Sequence, residues 1–192
     1  YGSENGVGYD AWCAVRDKDF IFGQFIWTGT DYLGESGRWP SRGLNTGLLD
    51  FGSFAKPRGH FRASLWCTEP VCYAGTYAAR ARRARTGRQA EVPVLAEALD
   101  TWNYDEGARV RVVCYTNSPQ ARLVLNGKEV GEVKEHDPRN GIVYWDLRYE
   151  PGELTAIGVS ADGKDEASYT LHTSLRPHHL RVRFDNAAGA VA

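Results

Sequence analysis

Residues 20–39 read FIFGQFIWTGTDYLGESGRW. The segment opens with an apolar run from Phe20 to Trp27, rich in aromatic and β-branched side chains. A run of that length and composition predicts a strand buried on both faces, the kind found in parallel sheets. At its C-terminal end the character changes abruptly to Thr28, Gly29, Thr30, Asp31, Tyr32, Gly34 and Glu35. A buried parallel strand that empties into a loop of aromatics, carboxylates and glycines is where α/β barrels keep their chemistry.

Upstream, Tyr1 to Gly6 reads as the end of a strand and its following loop, and Tyr9 to Asp17 clusters Ala11, Trp12, Ala14 and Val15 at helical spacing. Downstream, Thr28 to about Ser53 is longer than a connection without purpose, which predicts a binding loop. Pro57 suits the first turn of a helix with Ser53 as an upstream cap, and Arg58 to Trp66 forms its body. Strand, helix, strand, helix is the pattern of an α/β repeat.

From Glu69 the pattern switches to short strands separated by turn signals. They are expected at 71–78, 96–104, 109–116, 120–125, 128–134, 142–149, 154–160 and 167–173. Asn126-Gly127 and Asp162-Gly163 mark hairpins. Within 109–116, Val110, Val112 and Cys114 are expected to face inward, opposite Arg109, Arg111 and Val113. The arginine-rich stretch from Arg80 to Arg88 lacks aromatics to stack on bases and reads as a solvated linker. Leu180 to Phe184 resembles the start of a further domain, and Asn186 to Ala192 a disordered tail.

The 192 residues are 42% hydrophobic and carry a formal net charge of -1. That balance argues against nucleic acid or an anionic membrane as an electrostatic partner. No apolar run reaches the ~20 residues that a transmembrane helix needs. There is no methionine, even at position 1, which suggests a piece of a longer protein; compartment therefore stays open, periplasmic and extracellular included. Cys13, Cys67, Cys72 and Cys114 form no C-x-x-C pair and no cluster with histidine, so no metal site is expected. Cys67 and Cys72 are too far apart for a bridge if the chain is extended, although a turn at Pro70 brings them closer; free, mostly buried thiols are favoured. The histidines, among them His178-His179, form no motif.

Trp27–Glu35 (WTGTDYLGE), with Ser3–Gly6 (SENG) before it and WPSRG, GLLDF and KPRGHFRASLW after it, resembles glycoside hydrolase family 2, specifically its β-galactosidases. The likeness runs from Tyr1 to about Thr173. It implies an α/β plus all-β chain: residues 1–68 as the terminal βα units of a (β/α)₈ barrel, residues 69–175 as an immunoglobulin-like β-sandwich, and residues 176–192 as a tail or the start of a further domain. It also implies a retaining, exo-acting hydrolase of terminal β-galactosides that needs no cofactor, with β-glucuronidase or β-mannosidase as the alternatives within the family.

Retaining hydrolysis needs two carboxyl groups about 5–5.5 Å apart. Glu4 matches the family's nucleophile position, Trp27 its sugar-stacking wall, and Glu35 its hydroxyl-binding carboxylate. Asp31 is read as a second hydroxyl ligand or a turn cap, and Asn5 as a neighbour of the nucleophile. The family's acid/base residue follows an asparagine on an earlier strand, and this chain has no Asn-Glu dipeptide. The chain alone is therefore expected to be inactive, and its unclosed barrel edge prone to self-association. A different class of function, a carbohydrate-binding or scaffold module, predicts Trp102, Tyr104, Trp145 and Tyr149 exposed in a row.

Overall fold

The structure is a computed structural model that describes residues 1–79, 94–177 and 179–182. The arginine-rich stretch at 80–88, His178 and the tail from 183 lie outside the described residues; Leu180 to Val182 are not in a strand.

The N-terminal part is βαβ-like. β1 (Gly2–Asn5) leads to α1 (Tyr9–Arg16), and β2 (Gln24–Ile26) returns parallel to β1, with Gly2 opposite Gln24 and Asn5 opposite Ile26. Only Gln24–Ile26 of the predicted strand 20–27 is paired, and it is not buried on both faces. Phe20, Phe22 and Phe25 are 82%, 81% and 65% exposed. Apolar composition reported what this strand is built to bury, but among the described residues β1 is its sole sheet neighbour, so the other face stays open. Tyr1 covers it in part, with ring centroids 5.4 Å from Phe22 and 6.0 Å from Phe25.

The loop that follows has its own scaffold. β3 (Tyr32–Leu33) pairs antiparallel with β4 (Gly43–Leu44). Leu48 N–H donates to the Thr28 carbonyl (3.0 Å), Leu49 N–H to Gly29 (2.9 Å) and Asp31 N–H to Leu49 (3.0 Å). Gly47 permits this approach, because a Cβ there would stand 2.3 Å from the Asp31 nitrogen. α2 (Pro57–Trp66) begins with Pro57 in the first turn, where a missing N–H costs no bond. Its flanking residue is Lys56, not Ser53; Ser53 instead sits in a turn at φ 66.

The remaining strands form two antiparallel sheets. β5 (Cys72–Ala78), β6 (Arg109–Thr116) and β10 (Val143–Arg148) make one, with β6 in the centre. β7 (Gln120–Leu125), β8 (Lys128–Glu129), β9 (Lys134–Glu135), β11 (Glu153–Val159) and β12 (Asp165–His172) make the other. Ala74, Val110, Val112, Cys114, Val143 and Trp145 of the first meet Ala121, Leu123, Leu125, Leu154, Ala156 and Leu171 of the second in one core.

β6 is buried on both faces, so simple alternation misdescribes it. Val110, Val112 and Cys114 face the sheet-to-sheet core, while Val113 and Tyr115 join Phe61 of α2, Tyr73, Ala98 and Ile142 in a second core. Burying Phe61 there contributes about 1.5–3 kcal/mol. Arg111, expected outward, is also buried. Its guanidinium makes paired 2.7 Å bonds to Asp146 and lies 4.6 Å from the Tyr144 ring centroid.

Two other expectations need correction. Residues 96–104 form no strand, because their carbonyls are taken by side chains and by one backbone bridge: the Tyr73 hydroxyl donates to Ala98 (2.8 Å), the Thr76 hydroxyl to Thr101 and Thr76 N–H to Leu99 (2.8 Å). The strand at 128–134 is broken into β8 and β9 around Gly131, at φ 74, which lies against Trp145. The Asn126-Gly127 turn holds as predicted, both residues having positive φ.

The proposed row of exposed aromatics is absent. Trp102, Trp145 and Tyr149 are core residues and Tyr104 packs beside them. Trp102 Nε1 donates to the Glu150 carbonyl and Trp145 Nε1 to Glu132, so each indole is oriented inward by a backbone bond.

Candidate active site

β1 and β2 run side by side in the same direction, so their C-terminal ends open on one edge. The junction is fixed by Trp27 N–H donating to the Asn5 carbonyl at 2.9 Å. Glu4, one residue before Asn5, is exposed; Trp27, one residue past β2, is 46% exposed. The Trp27–Thr28 peptide is cis.

Tyr32 ties these groups together. Its ring meets the Trp27 indole edge-on at 6.1 Å between centroids, and its hydroxyl donates to Glu35 Oε2. That bond to Glu35 holds the Tyr32 phenol above its ordinary pKa, and the charges of Glu35 and Glu4 push the same way. Glu35 reaches back because Gly34 and Glu35 both adopt positive φ, 96° and 46°, in the turn after β3. Trp27 and Glu35 thus meet at one phenol, and the Glu4 carboxylate lies within electrostatic reach of it.

Asp31 and Asn5 are differently engaged. Asp31 is buried; its Oδ1 accepts from Gly47 N–H (2.8 Å), and Lys56 Nζ binds both carboxylate oxygens at 2.8 and 2.9 Å. Lys56 Nζ also donates to the Asn45 carbonyl at 2.7 Å. The pair fastens the start of the loop to its end, the turn-holding alternative for Asp31. Asn5 Nδ2 donates to the Phe25 carbonyl at 3.4 Å and so spans the two strands.

Sequence reading passed over three residues. Tyr32 and Lys56 lay inside quoted motifs without an assigned part. Arg62, likewise without an assigned part, is buried, stands 5.0 Å from the Trp66 ring centroid, and donates through Nη2 to the Gly6 carbonyl at 3.4 Å. It supports the loop just beyond Glu4. Among the described residues no group of three or more His, Cys, Asp and Glu is placed to hold a metal ion, and no helix is long and apolar enough to cross a membrane.

Residues 107–167 match a family model described as a domain of unknown function (DUF4982). Over 176 residues the chain is 30% identical to β-galactosidase BoGH2A of Bacteroides ovatus, covering 90% of this chain and 18% of that protein. A solved structure of a glycosyl hydrolase family 2 member from Bacteroides cellulosilyticus superposes with a TM-score of 0.72 at 26% identity, over 90% of this chain and 24% of that one. The chain is similar to members of glycoside hydrolase family 2. A putative β-glucuronidase of Formosa agariphila is 27% identical over 179 residues, 89% of this chain and 15% of that protein. The chain thus spans less than a quarter of the length of these relatives.

Proposed function

We propose that this chain is the last part of the catalytic barrel and the adjoining immunoglobulin-like sandwich of a retaining, exo-acting β-galactosidase. Residues 1–68 are the barrel portion and residues 69–175 the sandwich, whose outer face carries α2. The observation that supports this most is the shared edge at which Glu4 and Trp27 leave two parallel strands.

In the proposed mechanism the Glu4 carboxylate attacks the anomeric carbon. The bond to the leaving oxygen breaks as an acid from outside this chain protonates that oxygen. Water, deprotonated by the same residue, then cleaves the glycosyl ester and regenerates Glu4. The Trp27 indole supplies an apolar wall for the C–H face of the sugar. Glu35 accepts hydrogen bonds from sugar hydroxyls, and its bond from Tyr32 sets its direction before substrate arrives. Asp31, with Lys56, holds the loop rather than the sugar, and Asn5 fixes the strand spacing beneath Glu4. The exposed side chains of Phe20, Phe22 and Phe25 pack against further barrel elements; without such cover they promote self-association.

A uronide-specific reading draws on the β-glucuronidase relative. It requires a cation free to meet the sugar carboxylate, and Lys56 is already bound to Asp31 and Asn45. Chromogenic β-galactoside, β-glucuronide and β-mannoside offered to the intact enzyme test the choice. Turnover of the galactoside alone supports our reading, and turnover of the glucuronide alone overturns it. The isolated chain should hydrolyse none of the three, because it supplies one of the two carboxyl groups the reaction needs.

A further inference from the structure

Two of the four cysteines meet in the core between the sheets. Cys72 opens β5, and Cys114 lies on β6 two residues from Thr116, its direct cross-strand partner. Both thiols point to the same face, and their sulfur atoms are 3.6 Å apart. Cys114 is fully buried. Cys72 is half-buried and lines a cavity of about 320 Å³ together with His60, Pro70, Tyr73 and Ser168. Cys72 thus borders open space and Cys114 does not, although the Cys72 thiol also lies 3.4 Å from the Ala156 carbonyl oxygen.

We propose that Cys72 and Cys114 are a redox site, forming a reversible disulfide that staples β5 to β6 when the chain meets a small-molecule disulfide. The Cys72 thiolate attacks a sulfur of the reagent, forming a mixed disulfide and releasing one reagent thiolate. The Cys114 thiolate then attacks Cys72 Sγ, releasing the second. Two cysteine thiols are oxidised, one reagent disulfide is reduced to two thiols, and the two cysteine protons end on those thiols. The sulfur atoms must close from 3.6 Å to about 2.05 Å. Diagonal strand neighbours have Cα atoms roughly 7–8 Å apart, beyond the usual disulfide span, so closure requires β5 to shift against β6 and leaves the bridge strained and readily reduced. The hydrogen bond to Cys72 and deep burial raise the Cys114 thiol well above its ordinary pKa, which makes it the slower, second partner.

The test is incubation of the folded chain with oxidised glutathione, alkylation of remaining thiols, and peptide mapping without reduction. A linked pair of peptides carrying Cys72 and Cys114, with loss of two hydrogens in mass, supports the site; so does its reopening by excess reduced glutathione. In C114S, Cys72 should instead retain the glutathione adduct. A stable Cys72–glutathione adduct in the unmodified protein, a Cys67–Cys72 link, no reaction at Cys72, or a bridge that resists excess reduced glutathione would each overturn the proposal. Should C114S fail to fold, the map of the unmodified chain decides by itself.

Discussion

Replacing Lys56 with methionine removes a cation while leaving its carboxylate partner buried. The Asp31 side chain is 7% exposed and that of Lys56 21%. Breaking a buried pair by deleting one partner costs about 3–5 kcal/mol when both groups are fully enclosed. Partial exposure of Lys56 and the surviving bond from Gly47 to Asp31 lower the expectation to about 2–3 kcal/mol. The cost should fall on the loop rather than on the two-sheet core, which Lys56 does not touch. Hydrogen exchange is the fitting assay, because local opening free energies differ across a structure. In K56M the amides of Asp31, Gly47, Leu48 and Leu49, which close the loop ladder, should exchange roughly 30- to 150-fold faster. Those of β6 and β11 should keep their rates. Making the partner apolar as well, as K56M/D31L, should recover much of the loss, since the unpaired charge is what costs most. Unchanged loop exchange in K56M, or a double variant no better than the single one, would refute the reasoning.

Other consequences are equally specific. In D146N the buried Arg111 loses its charged partner, and global stability in urea should fall by about 1–2 kcal/mol, discounted for the partial exposure of Asp146. The Arg111 guanidinium holds the Asp146 carboxyl below its ordinary pKa. The stabilisation it provides is therefore complete above the unfolded value near 3.8 and is lost as pH falls through the lower folded value; D146N should flatten that part of the stability profile, and an unchanged profile would count against the pair. G75A places a Cβ 2.4 Å from the Ala98 carbonyl oxygen. It should cost on the order of 1–3 kcal/mol by forcing residues 94–99 off β5, visible as a lowered urea midpoint together with faster exchange at Thr76; a wild-type midpoint would contradict that packing.

How much of this was legible in the chain depended on whether a residue's partners were near in sequence or only in space. The Asn126-Gly127 hairpin and the start of α2 at Pro57 were readable because φ preference and a missing N–H are local properties. β6 was misjudged because alternation assumes one wet face, and the helix that covers the second face lies some fifty residues upstream. Only the carbohydrate-binding alternative needed Trp102 and Trp145 on display, and nothing local in the sequence excludes it by revealing that Glu150 and Glu132 offer carbonyls to their indoles. Phe20–Ile26 showed the opposite failure: its composition describes burial that no described neighbour supplies. Around the candidate site, Glu4, Trp27 and Glu35 could be marked from quoted motifs. The parts of Tyr32, Lys56 and Arg62 needed coordinates, since each is defined by what it touches across a turn or between elements.

The central claim is chemical: Glu4 carries the sugar during turnover. An activated 2-deoxy-2-fluoro-β-galactoside, which forms the glycosyl ester quickly and releases it slowly, should label the intact enzyme at one site. The account predicts the fluorosugar on the peptide containing Glu4, with no labelling in E4Q. A label on any other carboxylate, or undiminished labelling of E4Q, would contradict it.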